Sequence, residues 1–579
     1  QEGKGMERPR PGHADGMPAG RAHGLTPPAQ DPGPADPRLL DRFGAAAALR
    51  EGVVPWRWAG GATLVLATDG PAFARNRDRL EDLFGPVIPA LAAPSALEAA
   101  VLRLRGPALD RAARSRVAAE ESCRGWTRGG PLPWALLLGL SAVLVYAPGA
   151  LVGVVALWAL ATLALATALK IAAAVAALRR PPPEGEPPLI ARWPVVSILV
   201  PLFRERRIAA RLVARLARLD YPRDRLDVIL IVEEADRPTR EALDESALPP
   251  WMRVVTVPDG PLKTKPRALN HALGLARGSI VGVYDAEDAP APDQVTRVVE
   301  RFHRRGPQVA CLQGVLDFYN PRSNWIARCF TIEYAAWFRL MLPGLARLGL
   351  PVPLGGTTLF FRRAALEALG GWDAHNVTED ADLGIRLARH GYRTELIDTV
   401  TEEEANCRPI PWVRQRSRWL KGYMMTYAVH MRRPRLLRRQ LGWWRFAGFQ
   451  VFFLTTLSQF LLAPVLWLFW LAPWGLAPVP PGPGGPLLFG LFLVAEATLL
   501  GVNLVAMRLT PNRMNPAWVL MLHLYFPLAT AAALKALWET VACPFWWDKT
   551  SHGHHDPAAP PGPPARSRIS PASIRSRVS

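Results

Sequence analysis

"SIVGVYDAED" (Ser279–Asp288) and "LDVILIVEEAD" (Leu226–Asp236) are apolar, β-branched runs that each end in a knot of carboxylates. Short apolar runs bounded by polar residues read as buried strands. Similar runs recur from residue 195 to about 400, as "VVSILVP", "RVVTV", "VACLQG" and "TTLFFRR", with helical stretches between them. That alternation predicts a mostly parallel sheet covered by helices. Ligands of such sheets bind beyond the carboxyl ends of the strands. The residues to inspect are therefore Glu233, Glu234 and Asp236 after one strand, and Asp285, Glu287 and Asp288 after another.

Loop acids alone are often only solvated. Crowded at one edge they repel unless a cation joins them, and hard oxygen ligands with room for phosphate oxygens suit Mg2+ or Mn2+. The helix "KTKPRALNHAL" (Lys263–Leu273) precedes the second cluster and offers Lys263, Lys265 and Arg267 to phosphate. A third constellation, "GGWDAHNVTEDADLGIRLARHGY" (Gly370–Tyr392), places Glu379, Asp380 and Asp382 in the first turn of a helix that Thr378 can cap and Gly391 can close. Acids favour helix starts for structural reasons. A carboxylate fixed there is also well held for service as a general base.

The 579 residues suffice for two or three domains, half of them are apolar, and the net charge is +20. Nucleic acid is excluded as a partner, because no basic face interleaved with aromatics forms a recognisable module. The arginines instead flank apolar runs, as cytoplasmic loops of membrane proteins do. Cys123, Cys311, Cys329, Cys407 and Cys543 are scattered and form no C-x-x-C pair, which favours reduced thiols and no zinc site. The "HGHH" cluster at His552–His555 lacks a nearby carboxylate pair and is read as incidental.

Residues 1–36 and the tail within 543–579 are rich in Pro, Gly and charge, so disorder is expected at both ends. The first strongly apolar run begins only at Trp134, and no secretory signal is expected. Residues 132–178 are too long for one span of about 20 residues and are broken at Pro148-Gly149, which predicts a hairpin of two spans. Arginines on both flanks put the chain on either side of it in the cytoplasm. Further apolar segments lie within 446–542, at about Phe446–Leu471, Pro486–Met507 and Ala517–Leu537.

Residues 37–106 predict a small α+β domain: a helix near Leu40–Leu49, a strand at "TLVLAT", a helix through "RNRDRLEDLF", then "VIPALAA" and a last helix. It is similar to the N-terminal domain of type II secretion ATPases, some relatives of which bind cyclic nucleotides. The glycine-and-leucine pattern of those binders is poor here, which favours a docking domain.

The order and spacing of "VSILVP", "VEEAD", "KTKPRALN", "DAED", "TED" and "QRSRW" (Gln415–Trp419) resemble a processive family 2 glycosyltransferase of the cellulose, chitin and hyaluronan synthase group. The likeness covers about Val195–Pro434 and the flanking spans. It implies a glycosyltransferase-A fold at 190–405, inserted between transmembrane helices and followed by interfacial helices at 406–445. By the same resemblance Glu233, Glu234 and Lys265 meet the donor. Asp285 and Glu287 hold Mg2+ or Mn2+ on the diphosphate; Glu287 stands where the family has Asp, which leaves open whether it or Asp288 ligates. Asp380, beside Glu379, deprotonates the acceptor hydroxyl, while Gln415 and Arg418 hold the leaving diphosphate and Trp419 offers its face to the acceptor sugar. "PFWWDKTSHG" (Pro544–Gly553) resembles a loop of this group that closes over the donor. Counting spans would put it outside, so one apolar segment is expected not to cross, with Pro527 marking the last as kinked or re-entrant.

The function expected is polymerisation of a polysaccharide from a UDP-sugar, UDP-glucose by default, in a multi-pass bacterial-type inner membrane with the catalytic domain cytoplasmic. Partners would be the growing glycan, the bilayer and envelope export proteins. The rivals are transfer of one sugar to a lipid carrier, which generally lacks the complete "QRSRW", and an inactive scaffold, which would lack the acids. A transporter is disfavoured because the membrane segments carry few ionisable residues, mainly Glu496 and Lys535.

Overall fold

The computed structural model describes residues 34–126, 131–179, 185–186, 188–205, 209–471, 475 and 484–546. Most of the ends expected to be disordered, the "HGHH" cluster and most of "PFWWDKTSHG" lie outside the described residues. The chain divides into two units, one ending at Leu109 and one beginning at Asp110.

The first unit contains α1 (Pro37–Phe43), α2 (Ala45–Glu51), β1 (Val53–Ala59), β2 (Ala62–Ala67), α3 (Gly70–Phe84), β3 (Val87–Leu91) and the start of α4 (Pro94–Ser115). The Ala-rich stretch read as one helix is two, because Gly44 takes φ 97° between α1 and α2. β1 pairs antiparallel with β2, and β2 parallel with β3. Leu40, Val54, Val65, Leu80 and Val101 form the centre of its core.

The second unit opens with α5 (Pro131–Tyr146) and α6 (Pro148–Leu178). Its α/β part runs β4 (Val196–Leu202), α7 (Ala209–Leu216), β5 (Leu226–Glu233), α8 (Arg237–Asp244), β6 (Met252–Val257), α9 (Lys265–Leu273) and β7 (Ile280–Val283). It continues with β8 (Ala289–Pro290), α10 (Gln294–Arg304), β9 (Val309–Phe318), α11 (Trp325–Ala336), α12 (Leu342–Arg347), β10 (Leu359–Arg362), α13 (Arg363–Ala368), α14 (Glu379–Arg389) and β11 (Arg393–Glu403). Helices complete the chain: α15 (Pro409–His430), α16 (Pro434–Leu461), α17 (Ala463–Leu471), α18 (Gly484–Leu509) and α19 (Leu522–Ala542).

The strands form one sheet in the order β6-β5-β4-β7-β10-β9-β11-β8. β6, β5, β4 and β7 run parallel, as do β9 and β11, whereas β10 is antiparallel to both neighbours and β8 to β11. All eight residues of β5 are buried, which is why its middle, Val228–Val232, is a continuous apolar run rather than an alternating one. This is a glycosyltransferase-A-like fold with a mixed sheet.

Among the described residues three helices are long and apolar enough to cross a membrane: Pro148–Leu178, Gly485–Leu509 and Pro516–Ala542. The predicted break falls at Ala147, between α5 and α6. The segment expected at 446–471 is not one helix, since α16 stops at Leu461 and α17 starts at Ala463. Gly442, at φ 74°, also bends α16 through a left-handed backbone conformation that glycine adopts without a Cβ clash. Pro527 lies inside α19 without ending it.

Candidate active site

The turn after β7 aims two acids outward and one inward. Asp288 is fully buried and accepts hydrogen bonds from the Asp285 backbone N–H (2.8 Å) and from the Thr357 hydroxyl. Burial, with Asp285 and Glu287 nearby, pushes its carboxyl well above the ordinary range. Asp288 thus pins the turn, and the Asp285 and Glu287 side chains line a cavity of about 840 Å³.

Lys265, at the start of α9, faces the same space. Its ammonium lies 2.6 Å from Asp285 Oδ1 and 3.8 Å from Glu379 Oε1, and it donates to the Gly356 carbonyl at 3.1 Å. Burial works against the charge, yet Asp285 and Glu379 hold the ammonium above its usual value.

Helix α14 brings Glu379 and Asp380 to the cavity. Asp380 Oδ1 accepts the Ala381 N–H at 2.9 Å. Burial raises its carboxyl above the ordinary range while Lys265 pulls it back. Glu379, buried beside Asp380 and Asp285, is pushed up to about 7 although Lys265 opposes the rise. Thr378 does not cap the helix with its side chain. Gly391, at φ 82°, follows the last turn as expected.

Helix α15 supplies Gln415, Arg418 and Trp419 to the same wall. Gln415 Oε1 accepts Asn406 Nδ2 at 2.8 Å. Burial lowers the Arg418 guanidinium from its ordinary value against the carboxylates of Glu379, Asp285 and Asp380. Its charge is set among these acids.

Of the other expected donor residues, Glu233 reaches the cavity rim with its carboxylate held by Arg267 Nη1 at 3.1 Å, and Arg267 Nε also reaches Asp110 Oδ1 at 2.8 Å. Glu234 does not reach it. Successive residues leaving a strand point to opposite sides, and Glu234 is exposed, accepting the Asp259 N–H at 3.0 Å. Sequence reasoning missed Glu403, at the end of β11, whose carboxyl is pushed well up by burial and by Asp288, Glu287 and Asp285. It also missed Glu333, Tyr334, Arg416 and Tyr423 on the cavity wall. Glu403 sits in "TEEEANC", which carries no spacing signal.

Among the described residues no three His, Cys, Asp or Glu side chains cluster closely enough to hold a metal by themselves. A divalent ion that shares its shell with substrate oxygens needs only one or two carboxylates. Asp285 and Glu287 fit that requirement, and Asp288 Oδ1 behind them has no hydrogen-bond partner among the described residues.

The model for glycosyltransferase-like family 2 matches residues 194–422, and that of the MshEN domain matches residues 23–111. The chain is 31% identical over 279 residues to a β-monoglucosyldiacylglycerol synthase of Synechocystis sp., covering 46% of this chain and 56% of that one. It is 26% identical over 238 residues to a probable glucomannan 4-β-mannosyltransferase of Arabidopsis thaliana, covering 40% and 43%. A solved mannosyltransferase of Pyrobaculum calidifontis, in complex with GDP-Man and Mn2+, aligns over 66% of this chain and 99% of its own at 21% identity and a TM-score of 0.44. The chain thus spans about half the length of the curated relatives it matches. Residues 194–422 carry the match to glycosyltransferase-like family 2, and the MshEN match precedes it in the chain.

Proposed function

We propose that this chain transfers a sugar, with inversion, from a UDP-sugar to the end of a growing glycan at the cytoplasmic face of a bacterial-type inner membrane. The observation that carries the reading is that Asp285, Asp380, Arg418 and Trp419, from separate elements, line one cavity that continues between α6, α16 and α18. A cavity joining acids, a guanidinium and an indole to an apolar bundle suits a donor bound at one end and a polymer leaving at the other.

Asp380 accepts the proton of the acceptor hydroxyl as that oxygen bonds to the anomeric carbon from the face opposite the diphosphate. The bond from that carbon to the diphosphate oxygen breaks, and UDP leaves. An elevated carboxyl pKa brings a base closer to working pH. Arg418, with Gln415, stabilises the negative charge that builds on the leaving diphosphate, where fixed charges in a dry site act strongly. Lys265 and Glu233 position the donor. Asp285 and Glu287 would hold Mg2+ or Mn2+, which when bound neutralises diphosphate charge. Trp419 holds the acceptor ring on its indole face without fixing chain length.

A second reading, transfer of a single sugar to a lipid, is favoured by the 31% identity to a β-monoglucosyldiacylglycerol synthase. The test is purified full-length chain in vesicles with labelled UDP-glucose and Mg2+ or Mn2+, reading UDP release, product size and linkage. A long product supports polymerisation and a lipid carrying one sugar supports the second reading. Absence of UDP release with every UDP-sugar refutes both.

A further inference from the structure

Residues 116–123 lie between the stretch matched by the MshEN model and α5. They are more than a tether, because they touch both ends of the stretch Gly370–His390 that carries Glu379 and Asp380. A Cβ built on Gly370, at φ 79°, would stand 2.6 Å from the Arg116 carbonyl oxygen, so backbone lies against backbone there. Asp373 is buried, and its carboxylate accepts the Ser122 hydroxyl at 2.8 Å and the Cys123 N–H at 2.6 Å. At the far end of α14 the buried Glu121 carboxylate lies 3.2 Å from Arg389 Nη2 and 3.2 Å from His390 Nε2. Burial opposes that charge, but His390 and Arg389 outweigh it and hold the Glu121 carboxyl down to about 2.

Both contacts are relayed to the neighbourhood of Asp380. The Asp373 carbonyl accepts the Asn376 N–H at 3.1 Å, and Asn376 Oδ1 accepts the Thr378 N–H at 3.0 Å. Thr378 stands two residues before Asp380. From the other end, Arg389 Nη1 donates to His430 Nδ1 at 2.7 Å. A guanidinium can only donate, so the ring proton sits on Nε2, which donates to Asp382 Oδ1 at 3.0 Å. Asp382 stands two residues after Asp380. Released from Ser122 and Cys123, Asp373 would be a buried carboxylate short of donors, which is costly and is relieved by moving the turn. A segment that only connected two parts of the chain would keep its polar groups in water.

We infer that Glu121 and Ser122 are positioning residues for sugar transfer, which hold the two ends of the stretch carrying Asp380 and so set where its carboxylate meets the acceptor hydroxyl. This rests on the assignment of Asp380 as the base.

The test uses full-length protein in vesicles with the labelled UDP-sugar it turns over, and UDP with Mn2+ as the binding probe. Displacement of a reacting group by about 1 Å can cost about a hundredfold in rate. Ser122→Ala and Glu121→Ala should each lower kcat about tenfold or more. UDP affinity and the number of UDP sites per chain should stay at wild-type values, which separates misplacement from misfolding. In an Asp380→Asn background the same substitutions should change the residual rate by no more than about twofold, because no base is left to displace. Wild-type kcat in both Ser122→Ala and Glu121→Ala overturns the inference. So does a loss of UDP sites or UDP affinity that matches the loss of rate, or a full loss of rate repeated in the Asp380→Asn background. Full activity of Asp380→Asn alone would instead defeat the base assignment, whatever Ser122→Ala does.

Discussion

Gly422 of α15 lies directly against Thr378 at the start of α14. A Cβ built on Gly422 would stand 2.0 Å from Thr378 Oγ1 and 2.7 Å from Thr378 Cβ. Real Cβ atoms do not approach so closely, and turning the Thr378 side chain would leave the Cβ contact in place. The helix that carries Arg418 and Trp419 is therefore seated on the helix start that carries Asp380 through an atom that is not there.

Gly422→Ala should force these helices apart. Overpacking of this kind costs about 1–3 kcal/mol, and misplacement of a base by about 1 Å can cost about a hundredfold in rate. We expect sugar transfer to fall at least tenfold, with partial recovery when Thr378→Gly is added. Wild-type transfer by Gly422→Ala, measured as UDP release, would show that the close seat is not needed.

Asp380→Asn removes the proposed proton acceptor while preserving shape. Transfer should drop about 10²–10⁴-fold, the range of general base catalysis. Donor affinity, read by titration with UDP in the presence of Mn2+, should stay within a few-fold. Full activity would remove Asp380 from the reaction, and lost UDP binding would reassign it to the donor.

Much of this geometry is legible in the sequence because strand ends advertise themselves: an apolar run that stops at acids has little choice about where those acids lie. The directions of β10 and β11 are less visible, since "TTLFFRR" reads as a strand whichever way it pairs. Glu234 and Asp288 show a second limit. Neighbouring acids look equivalent in a string, whereas backbone direction sends Glu234 to solvent and Asp288 into the fold. Thr378 shows a third, for its capping residue type was legible but its contact with Gly422, 44 positions away, was not.

Arg416 is one of the two residues of "QRSRW" to which the resemblance gives no role, and its surroundings assign it the positioning of Trp419. Its guanidinium carbon lies 4.8 Å from the Trp419 ring centroid, 4.9 Å from that of Trp412 and 5.5 Å from that of Phe330. Glu333 Oε2 accepts from Arg416 Nη2 at 2.5 Å and from the Tyr525 hydroxyl at 2.7 Å. A planar cation serves all three rings at once, which a lysine cannot do. Cation–π contacts contribute about 0.5–2 kcal/mol each, so Arg416→Lys should raise the acceptor KM about tenfold. The donor KM should be unchanged, and the Trp419 contribution to fluorescence should shift. An equal rise in both KM values would mark Arg416 as part of the general scaffold instead.

His271 in α9 gives a pH signature that is separate from catalysis. Both ring nitrogens are buried without a hydrogen-bond partner among the described residues. Burial, with the Arg267 guanidinium nearby and Asp110 only partly compensating, lowers the imidazole from its ordinary 6.5 to about 4. Between those values the unfolded chain binds a proton that the folded chain refuses, so stability is complete above pH 6.5 and falls as the pH drops toward 4. At about 1.4 kcal/mol for each pH unit in that window, the loss is about 3 kcal/mol. His271→Phe should flatten this part of the stability curve relative to the parent while leaving the pH 7–8 region nearly level. Denaturant melts of both proteins between pH 4 and 8 measure it. Parallel curves would mean that His271 takes up a proton in the folded protein as readily as in the unfolded chain, which the unpartnered nitrogens argue against.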